Sequence, residues 1–166
     1  MLMEPEIDEQ LGFQWSVHRL PAGLKHEFPL VFPGVEAADK VLVVTFQRSS
    51  LDMVEFLPVV EEQKNFLLRR FASWAEHIRA YFSSTPYWVD FIDPCSGFPQ
   101  HHSRGSVSHN DIDAIQQVFN YFVDSVAGCK VVSHHLWKTA CYPAILYTNA
   151  PISELVQAVE IAIHSL

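Results

Sequence analysis

The stretch "KVLVVTFQR" at 40 to 48 constrains the fold more than any other part of the chain. It is rich in β-branched residues and apolar on both alternating faces, with Val41 and Val43 on one side and Leu42, Val44 and Phe46 on the other. Such a strand stands in the middle of a sheet and is covered on both sides, so helices must lie against it. The clearest helix runs from 60 to 82. Its Leu67, Phe71, Trp74, Ile78 and Tyr81 recur at spacings of three and four, while Glu61, Arg69, Arg70, Glu76 and Arg79 turn mostly outward. A last helix, 152 to 165, follows Pro151 and carries Leu155, Val156, Val159, Ile163 and Leu166 on one face.

Further strands are predicted at 13 to 20, within "YWVDFIDPCSG", at about 124 to 134, and at 142 to 148. "HEFPLVFPG" has too many prolines for a long helix and reads as irregular, with one short helical turn. Residues 98 to 111 are polar and read as a long surface loop, and 112 to 123 fit helical and strand spacing alike. The expected fold class is α+β, a mixed, largely antiparallel sheet with flanking helices. Residues 1 to 12 are acidic without apolar period and read as a flexible tail; 13 to 166 read as a single globular domain.

Composition removes several function classes. With 19 acidic against 11 basic residues the formal charge is −8, so a phosphate backbone would be repelled and no nucleic-acid partner is expected. No run approaches the ~18 to 20 apolar residues that span a bilayer, so no membrane association is expected. The acidic start lacks the arginines of a mitochondrial presequence, so this N-terminus predicts a cytoplasmic protein. Cys95, Cys129 and Cys141 have no CxxC spacing, which suggests neither a disulfide framework nor a structural zinc site.

Cys129 lies in "VAGCKVVSHHLW", and it could be a metal ligand, a nucleophile or a small apolar residue. If 129 to 135 is extended, Cys129 and His135 share a face but stand roughly 20 Å apart, too far to hold one ion. From the residues alone Cys129 reads first as a buried small hydrophobe. His101, His102, His109, Asp111 and Asp113 crowd one loop without a fixed metal-site spacing, and a solvated polar loop is the plainer expectation. Asp90 and Asp93 read as structural, since Asp before Pro forms turns. No phosphate loop, nucleophile elbow or Ser/His/Asp spacing points to a catalytic residue.

Two blocks, "YWVDFIDPCSG" at 87 to 97 and "GCKVVSHHLWKTACYPAILYTNA" at 128 to 150, resemble the methylmalonic aciduria and homocystinuria type D family of cobalamin trafficking proteins, CblD. The resemblance implies a nitroreductase-like fold without flavin, and an adaptor in place of an enzyme. It implies docking on the cobalamin-processing protein CblC, with cobalamin as cargo held in that complex, and onward delivery to methionine synthase. It also implies a cysteine thiolate as a cobalt ligand, for which Cys129 is the candidate. A corrin already supplies four equatorial nitrogens, so one soft axial donor suffices. The family pattern has two adjacent cysteines before the lysine, whereas "AGCK" has one, with Gly128 at the first position and Cys129 at the second. A bulge at Gly128 would then be needed to turn Cys129 to the required side. The alternative function is a flavin-dependent nitroreductase-like enzyme, which would need a phosphate-binding basic patch.

Overall fold

The computed structural model describes residues 1–126 and 129–166. In chain order the elements are β1 (Met3–Asp8), β2 (Phe13–Arg19), α1 (Ala22–Lys25), α2 (Phe28–Val31), β3 (Val41–Arg48), α3 (Pro58–Tyr81), β4 (Val89–Asp93), β5 (Phe98–Pro99), α4 (Asp111–Val118), β6 (Phe122–Val126), β7 (Cys129–Ser133), β8 (Cys141–Thr148) and α5 (Ile152–Ile163). The fold is α+β. Six strands form one sheet in the order β1-β2-β3-β8-β4-β5, and β6 with β7 forms a separate hairpin. Every strand pairing among the described residues is antiparallel, so the parallel component expected of a mixed sheet is not seen there.

The two apolar faces of β3 decide the layering. Val41 and Val43 enter a core built with Phe13, Trp15, Phe71, Trp74 and Leu146, under α3 and α5. Leu42, Val44 and Phe46 enter a second core with Phe28, Phe32, Ile115, Ile145 and Tyr147, covered by α1, α2 and α4. The helix stripe predicted for α3 is buried at Leu67, Phe71, Trp74 and Ile78, while Tyr81, in the last turn, stays exposed. Proline at the first helical position suits a helix start, because its missing N–H is one that no helix bonds.

Several expectations are corrected. The acidic opening is not a free tail, since β1 pairs with β2 through Ile7 against Gln14 and Asp8 against Phe13. Pro5 and the exposed Glu4 and Glu6 lie in this edge strand, and its register shifts between Met3 and Glu6. Proline and charge on an edge discourage further strand addition. The strand expected from 124 to 134 is two strands, because Asp124 pairs with Val131 and Val126 with Cys129. The ambiguous 112 to 123 resolves into α4 followed by the start of β6. The helix begins where the Asn110 side chain accepts the Ile112 N–H at 2.9 Å, an N-cap. The one short helical turn expected in "HEFPLVFPG" is α2, and α1 forms just before that stretch.

The long loop after β5 is pinned and not free. Asp90, buried at the centre of β4, accepts the backbone N–H groups of His101 at 3.2 Å and His102 at 2.8 Å. Ser106 donates to the Leu30 carbonyl at 2.9 Å, and beside it Gly105 is so close to α2 that a Cβ would sit 1.9 Å from Leu30 O. The Gly105→Ala variant is therefore expected to lose about 1–3 kcal/mol of stability through overpacking. Urea unfolding followed by tryptophan fluorescence checks this, and an unchanged midpoint would contradict the docking of the loop.

Candidate functional site

The site is set by a split in the sheet. β4 pairs with β8 only at Val89, Asp90 and Phe91, opposite Thr148, Tyr147 and Leu146, and then leaves to pair with β5. Over the rest of its length β8 keeps β3 on one side and loses its strand neighbour on the other. The N-terminus of α4 fills part of the gap, where Asp111 Oδ2 accepts the Ile145 N–H at 3.1 Å. Two residues earlier stands Pro143, which has no N–H to leave unpaired on that open side.

A cleft of 610 Å3 opens in this gap, within the range of about 300–1,000 Å3 usual for ligand pockets. Its walls are the first turns of α3 with Glu61 and Lys64, the β4–β5 turn at 94 to 97, the start of α4, and the start of β7 with Cys129 and Lys130; Tyr142 and Pro143 come from β8. A smaller recess of 170 Å3 adjoins it and shares Lys64, Cys129, Lys130 and Tyr142. Cys129 thus stands where the two spaces meet. Lys130 pairs with Asp113 and Lys64 with Glu61 at 2.8 Å, so the cationic groups are each balanced by a carboxylate.

The three thiols differ sharply. Cys129 is exposed, which overturns the reading of it as a buried hydrophobe. Gly128, at which the re-aiming bulge was expected, lies outside the described residues. Cys95 is exposed on the β4–β5 turn, and partial burial, followed by the charges of Asp93 and Glu61, raises its pKa above the ordinary thiol value. It remains a protonated, weak donor at neutral pH. Cys141 is buried beneath the hairpin, and burial pushes it up to about 12, leaving it an inert core residue that donates to the Lys138 carbonyl at 3.3 Å.

His134 and His135 divide as adjacent residues on opposite faces should. His134 is fully buried, stacked on Trp137 with centroids 4.6 Å apart, and burial lowers it to about 4. Its Nδ1 accepts from the Leu136 and Trp137 N–H groups, both at 3.3 Å, so Nε2 carries the proton and donates to Gln14 Oε1 at 3.1 Å. His135 is exposed, and its Nδ1 meets the Tyr121 hydroxyl at 2.8 Å. Neither reaches toward Cys129 as a co-ligand, because neither lines the cleft.

Among the described residues no three His, Cys, Asp or Glu side chains converge in a way that could hold a metal ion. The loop cluster disperses accordingly. His101 pairs with Glu76, and His102 donates from Nε2 to the Pro33 carbonyl at 2.7 Å. His109 and Asp111, expected in a solvated loop, are instead buried, each with a side chain 7% exposed. His109 Nε2 accepts the Tyr147 hydroxyl at 2.7 Å while Nδ1 faces Glu27 at 3.4 Å, and burial lowers its pKa despite that carboxylate. Asp111 Oδ1 lies 3.7 Å from the same Nε2, whose lone pair Tyr147 already occupies, and makes no hydrogen bond. Burial raises Asp111 to about 8. Asp90 and Asp93 are structural, as expected: Asp93 accepts the Cys95 and Ser96 N–H groups at 3.1 and 3.2 Å and so shapes the cleft wall.

A sequence model of the methylmalonic aciduria and homocystinuria type D protein family matches residues 3–160. The chain belongs to this family. Curated relatives named cobalamin trafficking protein CblD include those of Gallus gallus, 30% identical over 142 residues, and of Mus musculus and Homo sapiens, each 28% identical over 142 residues. In all three the alignment covers 86% of this chain and 48% of the relative, so the chain spans about half the length of the family members it matches. Among the described residues no helix is long and apolar enough to cross a membrane. The match includes both blocks that form the cleft wall and the Cys129 strand.

Three buried titratable groups give opposite pH slopes. His18 and His134, each lowered to about 4 by burial, add stability that is complete above their ordinary 6.5 and is lost as pH falls through about 4. Asp111, raised to about 8, adds stability that is complete below its ordinary 3.8 and is lost as pH rises through about 8. Between about pH 6.5 and 8 stability should fall by at most about 1.4 kcal/mol per pH unit. Thermal melts across this window should show the fall in the native protein and its absence in Asp111→Asn; equal slopes in the two would contradict the buried acid.

Proposed function

We propose that this chain is a cobalamin-trafficking adaptor that binds CblC, takes cobalamin in that complex, and passes it toward methionine synthase in the cytoplasm without catalysing a reaction itself. Membership of a family whose members are named for cobalamin trafficking is the observation that carries the reading. The arrangement around Cys129 supports it. Two exposed thiols line the open cleft, Cys129 and Cys95, and burial raises the pKa of Cys95; among the described residues no three His, Cys, Asp or Glu side chains converge there. A bare divalent ion would need three or four such donors, whereas cobalt in a corrin needs one more axial atom.

In this reading Cys129 is the axial ligand. A thiolate is a soft, strongly donating group, and a site at the mouth of a cleft lets the flat face of a corrin approach without the whole macrocycle being enclosed. The fold is proposed to be the nitroreductase-like type without its flavin, with the cleft serving cargo transfer. The β1 edge, blunted by Pro5 and two glutamates, is a poor place for a partner strand to add, which favours docking on the side of the hairpin.

The test is the absorption spectrum of cob(II)alamin mixed with CblC and this protein. The native chain is expected to give a cobalt-thiolate spectrum that Cys129→Ser abolishes and Cys95→Ser keeps. Loss with Cys95→Ser alone would move the ligand to the β4–β5 turn. A stoichiometric flavin in the purified protein would overturn the adaptor reading in favour of a reductase.

A further inference from the structure

Four buried side-chain polar atoms among the described residues lack a hydrogen-bond partner, and of these only Asp111 Oδ1 belongs to a residue lining the cleft. Buried polar groups are almost always paired, so an orphan at a cleft wall points to a partner that arrives with a ligand. The other carboxyl oxygen is fixed by the Ile145 N–H, which holds the group in place on β8. His109 cannot serve as the missing partner, because its near nitrogen already accepts the Tyr147 hydroxyl. Lys64 and Lys130, which line the same cleft, are paired with Glu61 and Asp113. Asp111 itself lines the cleft, and its unpaired Oδ1 is the oxygen left over for a ligand.

Burial keeps this carboxyl protonated near neutral pH. A neutral acid in an apolar wall is a hydrogen-bond donor, and it neither repels nor attracts net charge. Its natural complement is an uncharged oxygen acceptor. A corrinoid carries a rim of carboxamide side chains, each with such an oxygen, around the ring that Cys129 would ligate from one face.

We propose that Asp111 is a ligand-binding residue of this cleft, donating its carboxyl proton to a carboxamide oxygen on the rim of a corrinoid whose cobalt faces Cys129. The assignment rests on the cobalamin reading of the cleft. It gives the site two anchors of different kind: a thiolate that grips the metal and an acid that fixes the rotation of the ring.

The probe is aquacobalamin, on which the Cys129 thiol replaces the cobalt-bound water and releases a proton, with no change in oxidation state. It is titrated into the native chain, Asp111→Leu, Asp111→Asn and Cys129→Ser, following cobalt absorption for ligation and tryptophan quenching for binding. Asp111→Leu is expected to bind about tenfold more weakly, and Asp111→Asn, which keeps an N–H donor, to lose no more than about threefold. Asp111→Leu also leaves the buried Ile145 N–H without its acceptor and is expected to melt lower than the native chain, so binding is measured well below its melting point; Asp111→Asn keeps an oxygen for that N–H and controls for the loss. Equal affinity in Asp111→Leu and the native chain overturns the proposal and leaves the Cys129 reading intact, and so does an equal loss in the leucine and asparagine variants. If Cys129→Ser keeps the full spectral change, the cobalt-ligand reading fails, while weakened quenching in Asp111→Leu still supports the rim contact. Absence of any binding by the native chain, both alone and mixed with CblC, overturns both.

Discussion

The antiparallel ladder between β3 and β8, from Val41 against Thr148 to Arg48 against Cys141, is what the rest of the structure depends on. It carries the residues that feed both cores, and it holds β8 straight past the point where β4 leaves. Without that one-sided support the lower half of β8 would be an unpaired strand. With it, the gap becomes a cleft whose wall is a rigid strand and whose rim is built from turns. Sites placed on rigid elements and trimmed by loops keep their geometry when a large ligand arrives.

Around the gap the chain places polar groups where backbone would otherwise go unsatisfied. Asp90 collects the N–H groups of the loop that returns from β5, and Asp93 collects those of the turn that walls the cleft. Asp111 caps the Ile145 N–H exposed by the departure of β4. These three aspartates do one kind of work, closing backbone accounts at the edge of a split sheet. Asp111 alone keeps an oxygen over, and it does so beside the open side of β8.

Much of this was legible in the sequence. The two-faced apolar run of β3 dictated layers on both sides, and the 3.6-residue period of α3 and α5 supplied one of them. Asp93 was readable as a turn former from its place before Pro94, and Asp90 as structural beside it. The family blocks located the Cys129 strand. What stayed hidden was set by long-range contacts. β1 is held by its partner strand and not by its own propensity, so an acidic segment with Pro5 looked free. The hairpin at 122 to 133 had no alternation strong enough to separate two strands from one. The burial of His109 and Asp111 depends on the absence of a neighbouring strand, and no local pattern reports that. Asn110 before the apolar Ile112 and Ile115 was a usable sign that a helix begins there, but the turn of Asp111 toward β8 is a long-range contact. Exposure of Cys129 follows from its place at the first position of β7, beyond the part of the hairpin that Val132 and His134 anchor in the core.

In the proposed complex the sulfur of Cys129, and not that of Cys95 in the wall of the same cleft, reaches cobalt. X-ray absorption at the cobalt edge, on the complex of this protein with CblC and cob(II)alamin, tests that directly. The expected result is a single sulfur in the first coordination shell that disappears when Cys129 is replaced by serine. A shell made only of nitrogen and oxygen in the intact complex would contradict it.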